Sequence, residues 1–479
     1  MAAPLRRRAP GSSRGGSRIQ LSLSSLTCLL VIAFPIFSLI GLALQFIAVN
    51  HIDTHKNNDL LSINNPAAAA TSLMIRGAPS DLQSSTDTKK KVTIAYTVTI
   101  TGCSERWSSE KEAASLITQG AAVLQQSIHL AHTSSNYDYQ MYAIVHPAAT
   151  SCSVAPLQKL GYQVLIRNTP FETSDIATKF LRENIDKASC CGSTEFLKLY
   201  AYTLKESVAV ILDLDSLVLK PMDEMFDVML MEEQEFDNDE LRKKKLFNQL
   251  PIHHNTDDHH DGSTTNLQNK RISAFYTKDY NMVNPGGEKY AGVQGGFLIL
   301  RPDEDVFAEY IQLVLQGNYI QGQGWGGKYG YFYGGAQVQG ICSYYFGEIH
   351  PEKGVELNRC RVNQMVDDPR FKMDMEEDRW RDARGKCRDG REKCEDCRET
   401  DLKDIWSAHF TLCGKPWHCR VPTIPLCSKL HGEWFRIRRS LDESRGLPLP
   451  ELGGASYRPE IYHGYCTGAG EPNYVPLTI

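Results

Sequence analysis

The chain has 479 residues, 52 basic against 57 acidic side chains for a formal net charge of -5, and 42% hydrophobic residues. That length holds one large domain or two ordinary ones with appendages, and the apolar fraction excludes wholesale disorder. No basic excess or concentrated basic patch follows the N-terminus, which argues against nucleic acid as a partner.

Arg6, Arg7, Arg8, Arg14 and Arg18 precede an apolar run over residues 21–49 that carries no charged side chain. A membrane-spanning helix needs roughly 20 residues, and this run is about twice the length of a signal-peptide core. The arginine side belongs in the cytosol. The expected organisation is a cytosolic tail over 1–20, a single-pass type II anchor over 21–49, and everything later in a lumen; a cleaved signal or transit sequence is the other reading. Of 14 cysteines, Cys28 lies in the apolar run and thirteen follow it. An oxidising lumen lets most of them pair, and the odd number leaves at least one free or bonded between chains. Asn-x-Ser/Thr acceptors are absent, so N-glycosylation adds nothing to the topology.

Residues 50–91 show little periodicity, end in Lys89, Lys90 and Lys91, and read as a flexible stem. Val92 to Thr101 (VTIAYTVTIT) is a buried strand, and Glu110 to His132 has helical apolar spacing. Strands follow at Tyr139 to Val145 and Val164 to Arg167. Phe196 to Leu204 is helix-like, and Ser207 to Leu212 (SVAVIL) is a strand running into Asp213-Leu214-Asp215. Strands alternating with helices indicate an α/β domain with a largely parallel sheet. A polar insertion spans about 231–270 and includes His253, His254, His259 and His260; its mixed composition reads as a solvated loop, with metal binding as the alternative. Val293 to Arg301 is another strand, and a second polar insertion over 367–403 carries Cys387, Cys394 and Cys397.

Asp213 and Asp215 are two residues apart where an apolar strand leaves the core, so an extended chain turns both to one side. Paired carboxylates repel unless a cation lies between them, and the carboxyl end of a strand in an α/β sheet is where ligands bind. A divalent ion there neutralises the oxygens of a diphosphate leaving group. His409, in HFTLCGKPW, completes such a site, and mixed oxygen and nitrogen ligation favours manganese over magnesium. Lys415 is placed to reach a phosphate oxygen, and Gly414 permits close backbone approach. Taken alone, His409 reads equally as a core histidine. Gln294-Gly295-Gly296 and Gln337 to Phe346 pair glycines with amides that suit sugar hydroxyls; a bend in the sheet explains the glycines as well.

The order of these pieces resembles glycosyltransferase family 8, the glycogenin-like group related to plant xylan glucuronosyltransferases. The resemblance covers about residues 92–420. It rests on Phe196 to Leu199, Val210 to Asp215 with Pro221 to Phe226, Gln294 to Pro302, Gln339-Gly340, and His409 with Lys415 to Trp417. It implies a GT-A fold with a mostly parallel sheet flanked by helices, a UDP-sugar donor, Mn2+, and retention of anomeric configuration. By position, Asp213, Asp215 and His409 match the metal ligands, and Lys198 and Lys415 match contacts to the donor phosphates or sugar. Thr99 and Thr101 match the uridine-binding segment, and Gln339 matches the glutamine beside the anomeric carbon; Lys198 also reads as a lysine snorkelling from its helix, and the threonines as strand packing. Val338 stands where the family has Asp, Gln294 where it has Asn, and Leu412 where it has Gly, with Gly414 displaced.

The expected protein is a Golgi transferase with a catalytic domain over 92–440 and an extension over 441–479. It moves a hexose-type sugar to a glycan, glycoprotein or glycolipid. A self-glycosylating primer and a catalytically degenerate sugar-binding protein are the alternatives. For the cysteines of the second insertion, disulfides to Cys413, Cys419 or Cys427 are expected over a zinc knuckle, which lacks a second C-x-x-C. Cys190 and Cys191 are expected to bond to different partners.

Overall fold

The computed structural model describes residues 91–103, 110–231, 248–253, 271–373, 378–451 and 456–477. The expected tail, anchor and stem, most of the 231–270 insertion, and His254, His259 and His260 lie outside the described residues. Among the described residues no helix is long and apolar enough to cross a membrane.

The centre is a seven-stranded sheet. Its strands are β1 (Thr93–Ile100), β2 (Asp138–Val145), β3 (Gln163–Ile166), β4 (Ala209–Leu212), β6 (Ala274–Lys278), β7 (Val293–Leu300) and β10 (Gly354–Glu356), in the spatial order β10-β6-β7-β4-β1-β2-β3. All run parallel except β7, which lies antiparallel between β4 and β6. Outside this sheet, β5 (Ser216–Val218) pairs with β11 (Ser407–His409), and β8 (Tyr319–Ile320) with β9 (Gly324–Trp325).

Both faces of the sheet are covered, which is why its strands read as continuous apolar runs rather than alternating ones. In β1, Tyr96 and Val98 enter one core cluster while Ala95 enters the other; in β4, Val210 and Leu212 oppose Ala209 and Ile211. The first face is covered by α1 (Glu110–His132), α2 (Thr150–Lys159) and α4 (Asp223–Leu230). The second is covered by tight turns over Gly192–Thr203, with α3 (Lys179–Asn184), α5 (Glu304–Gln316) and α6 (Val338–Tyr344). The expected helix at 196–204 is therefore a run of 3₁₀ turns, which carries Lys198 into the interior.

A third cluster forms around α7 (Pro425–Ser444) and α8 (Pro459–Tyr462), with Trp417, Trp434 and Tyr465 in its core. Ile461, Tyr462, Tyr465 and Cys466 belong to it, while Leu441 and Leu477 pack into the first cluster. Tyr465 donates to Asp442, Cys466 is bonded to Cys419, and the Leu477 amide donates to Gln119 on α1.

Among the described residues five disulfides are present: Cys103–Cys152, Cys360–Cys397, Cys387–Cys394, Cys413–Cys427 and Cys419–Cys466. This corrects the expected pairing. Cys387 closes a short loop with Cys394 inside the insertion, and Cys397 reaches back to Cys360. Cys413, Cys419 and Cys427 are used within the C-terminal cluster. Cys190 and Cys191 are in no disulfide and, with the buried Cys342, are free thiols.

Candidate active site

β4 ends at Leu212, and the chain turns at once: the Ser216 amide donates to the Asp213 carbonyl at 3.1 Å. Asp213 and Asp215 thus converge across a tight turn between β4 and β5, not along an extended strand. Leu214, between them, packs on α1, where Gly120 leaves no room for a side chain: a methyl carbon there would lie 2.7 Å from the Leu214 carbonyl oxygen. The Asp213 amide donates to the Gly296 carbonyl at 3.1 Å, joining the turn to β7.

His409 arrives through the pairing of β11 with β5, where it lies opposite Ser216. Its amide donates to the Gln364 carbonyl, and the Phe410 amide to the Asp215 carbonyl, each at 2.9 Å. The imidazole Nε2 lies 3.4 Å from Asp215 Oδ2 and 3.7 Å from Asp213 Oδ2. One ligand atom from each of the three residues lies within 4.8 Å of the others.

The donor set suits a divalent cation, and the cradle is cut for one. A methyl carbon at Gly296 would lie 2.5 Å from Asp213 Oδ2 and 2.6 Å from His409 Cε1, filling the space between them. Asp213, Asp215 and His409 are the residues that could hold the ion.

Charge at the site is compensated from both sides. Buried Lys198 spends its three N–H donors on Asp213 Oδ1 (2.9 Å), Glu195 Oε1 (2.6 Å) and the Gly295 carbonyl (3.0 Å). Burial alone would lower its pKa, but Asp213 and Glu195 raise it well above the ordinary value. Lys415 contacts Asp215 Oδ2 and is partly exposed. Burial pushes both aspartates up, yet Lys198 and His409 hold Asp213 below its usual range, and His409 and Lys415 do the same for Asp215. The carboxylates raise His409 against its burial.

Gln339, the second residue of α6, lies beside Gly295: a methyl carbon at Gly295 would lie 3.6 Å from its Cβ. Its Nε2 is buried without a hydrogen-bond partner among the described residues. Gln294 is buried, and its amide oxygen accepts from the Gly296 amide (2.6 Å) and from Asn363 (3.4 Å). Thr99, near the end of β1, has a buried hydroxyl without a partner among the described residues, and Thr101 lies next to Cys191. Val338 faces the second core cluster. Gly414 takes a positive φ of 74°, so the left-handed residue of the His409–Lys415 loop falls there while Leu412 stays ordinary.

Asp279 is the residue that sequence reading passed over. It follows β6, is buried, has Oδ1 unpaired among the described residues, and is raised to about 6 by burial and by the nearby Asp367. A β-type run, Ala274 to Thr277, ending in Lys-Asp was its available signal.

The chain matches no protein-family model and no curated protein in sequence. In structure it is similar to apo mouse xyloside xylosyltransferase 1, with 14% identity over 67% of this chain and 98% of that one, at a TM-score of 0.36. It is also similar to the galactosyltransferase LgtC in complex with donor and acceptor sugar analogues, with 12% identity over 74% and 99%, at 0.36. GlyE of Streptococcus pneumoniae TIGR4 matches at 10% identity over 77% and 67%, at 0.35.

Proposed function

We propose that the chain is a metal-dependent glycosyltransferase of GT-A type. It moves a hexose-type sugar from a UDP-sugar to a glycan, glycoprotein or glycolipid with retention of configuration, at the Golgi membrane with its catalytic domain luminal. The observation that carries this reading is the convergence of Asp213, Asp215 and His409 around the gap that Gly296 leaves open. When bound, manganese supplies the positive charge that a diphosphate leaving group requires.

The chain's own residues do the rest. Lys198 fixes the Asp213 carboxylate and the Gly295 carbonyl, so it positions the ligand rather than reaching for the donor. Lys415 sits on a loop at the rim, and its ammonium can exchange Asp215 for a phosphate oxygen once a cation neutralises that carboxylate. Gln339 keeps an unused amide N–H pair next to Gly295, which suits a sugar hydroxyl or ring oxygen. Thr99 offers its hydroxyl at the end of β1, the edge on which a nucleotide sits in sheets of this kind.

The test is UDP release from a panel of UDP-sugars by the full-length chain in detergent, with and without manganese. Release with at least one donor is expected, and Asp215→Ala should lower it at least 100-fold with an unchanged circular dichroism spectrum. Equal release by the variant would sink the metal mechanism.

A further inference from the structure

Cys190 and Cys191 stay thiols in a chain that pairs ten other cysteines in five disulfides among the described residues. Neighbouring Cα atoms are about 3.8 Å apart, short of the roughly 4.4–6.8 Å that an ordinary disulfide spans, so the pair does not readily close on itself. Cys190 is exposed and Cys191 is half-buried. The reaction as read above uses neither.

The turn that presents them is firmly held. Ser189 and Gly192, on either side of the pair, both take the left-handed conformation, at φ of 49° and 57°. A methyl carbon at Gly192 would lie 2.5 Å from the Asp186 carbonyl oxygen, so glycine is required there. Ser189 accepts from the Gly334 amide at 2.8 Å, which holds a non-glycine residue in a conformation that is costly and clusters at ligand clamps. The Gln337 side-chain amide donates to the Gly192 carbonyl at 2.7 Å and to the Ala188 carbonyl at 3.2 Å. Thr194 donates its hydroxyl to the Cys191 carbonyl at 2.6 Å.

Glu195 brings a third donor. One ligand atom from each of Cys190, Cys191 and Glu195 lies within 4.8 Å of the others. Zinc takes thiolate sulfur at about 2.3 Å and carboxylate oxygen at about 2.0–2.2 Å, so the ligands of one zinc stand about 3.5–4 Å apart. Small side-chain rotations close the difference. Glu195 gives Oε1 to Lys198 at 2.6 Å, and a carboxylate carries a second oxygen with which to bind an ion. Tyr333 hydrogen-bonds Cys190 and Thr101 hydrogen-bonds Cys191, outer contacts of the kind that orient metal ligands. The bond between the two thiols lowers Cys190 toward thiolate and raises Cys191, whose proton an incoming cation displaces to water.

Softness selects the ion. Asp213, Asp215 and His409 offer oxygen and nitrogen, whereas this cluster offers two sulfurs and one oxygen, a set that favours zinc over manganese or magnesium. With three protein donors and Cys190 exposed, the fourth position is left to water. We infer that Cys190, Cys191 and Glu195 form a second cation site, which takes zinc. It stands independently of the transferase reading, since it shares no ligand with the Asp213–Asp215–His409 set.

Cobalt serves as the probe, because its bonds to thiolate sulfur give a near-ultraviolet charge-transfer band that oxygen and nitrogen ligands do not. The full-length chain, purified in detergent under argon and freed of metal with a chelator, is titrated with cobalt chloride. The band should grow to saturation and be bleached by zinc chloride. Cys190→Ser should abolish it with an unchanged melting temperature, since that side chain is exposed. Glu195→Gln should raise the half-saturation by about tenfold or more, and Asp215→Ala should leave the band in place. The assignment is overturned by no thiolate band, by a band that zinc does not bleach or that survives Cys190→Ser, by an unchanged titration of Glu195→Gln, or by a band lost in Asp215→Ala.

Discussion

Gly296 shows how much of this site depends on what a side chain does not occupy. Its neighbours in the motif, Gln294 and Gly295, have visible tasks: one accepts from a backbone amide, the other from Lys198. Gly296 contributes a carbonyl to the Asp213 turn and, above all, empty space against Asp213 and His409. Gly296→Ala should therefore abolish manganese binding in calorimetry and cut UDP release at least 100-fold. The strain of one added methyl in a packed strand is about 1–3 kcal/mol, visible as a lower melting temperature without unfolding. Full manganese affinity in the variant would place the ion elsewhere. The sequence marks this glycine only as one of a pair; that it faces a carboxylate and an imidazole depends on partners 83 and 113 positions away in the chain, which follow from the residue numbers.

At the scale of elements, the site hangs on the two-stranded pairing of β5 with β11 and on the loop that follows it. That loop is fastened to α7 by Cys413–Cys427, by the His431 side chain against the Gly414 carbonyl at 3.1 Å, and by Trp417 beside Trp434. The disulfide joins residues 14 apart. A loop of that length confines the unfolded chain by about 3 kcal/mol. Replacing both cysteines by serine should lower stability by about that amount in urea unfolding. Because Lys415 lies inside the loop, it should also raise the KM for the donor more than it lowers kcat; a pure stability loss with an unchanged KM would show that the loop keeps its shape without the bond. The second insertion reaches the site by another route than the expected disulfides: Gln364 accepts from the His409 amide and donates to the Cys397 carbonyl, while Cys397 is bonded to Cys360.

For the molecule as a whole, the C-terminal cluster carries a pH dependence. Burial lowers the His431 pKa from its usual value to about 4. The unfolded chain then binds a proton more readily than the folded one, so stability is complete above about pH 6.5 and falls as pH drops toward 4. At pH 5 the loss from this residue is about 2 kcal/mol. Urea unfolding at pH 7 and pH 5 should show a smaller decline for His431→Gln than for the unsubstituted chain, by about that difference; equal declines would mean that His431 protonates in place.

What the sequence determined by itself is local: the strands β1, β2, β4 and β7, the helix α1, the α/β class and the Asp213–Asp215 pair follow from hydrophobic runs and short spacings that act within a few residues. Only the tertiary structure decided how the 3₁₀ turns bury Lys198, which cysteines meet, that Ile461, Tyr465 and Leu477 pack with the domain, and that Asp279 is buried without a full set of partners among the described residues. Those outcomes depend on which distant surfaces come into contact. A carboxylate, an amine or a thiol has the same local signature whether it meets water, a counter-charge or a partner two hundred residues away.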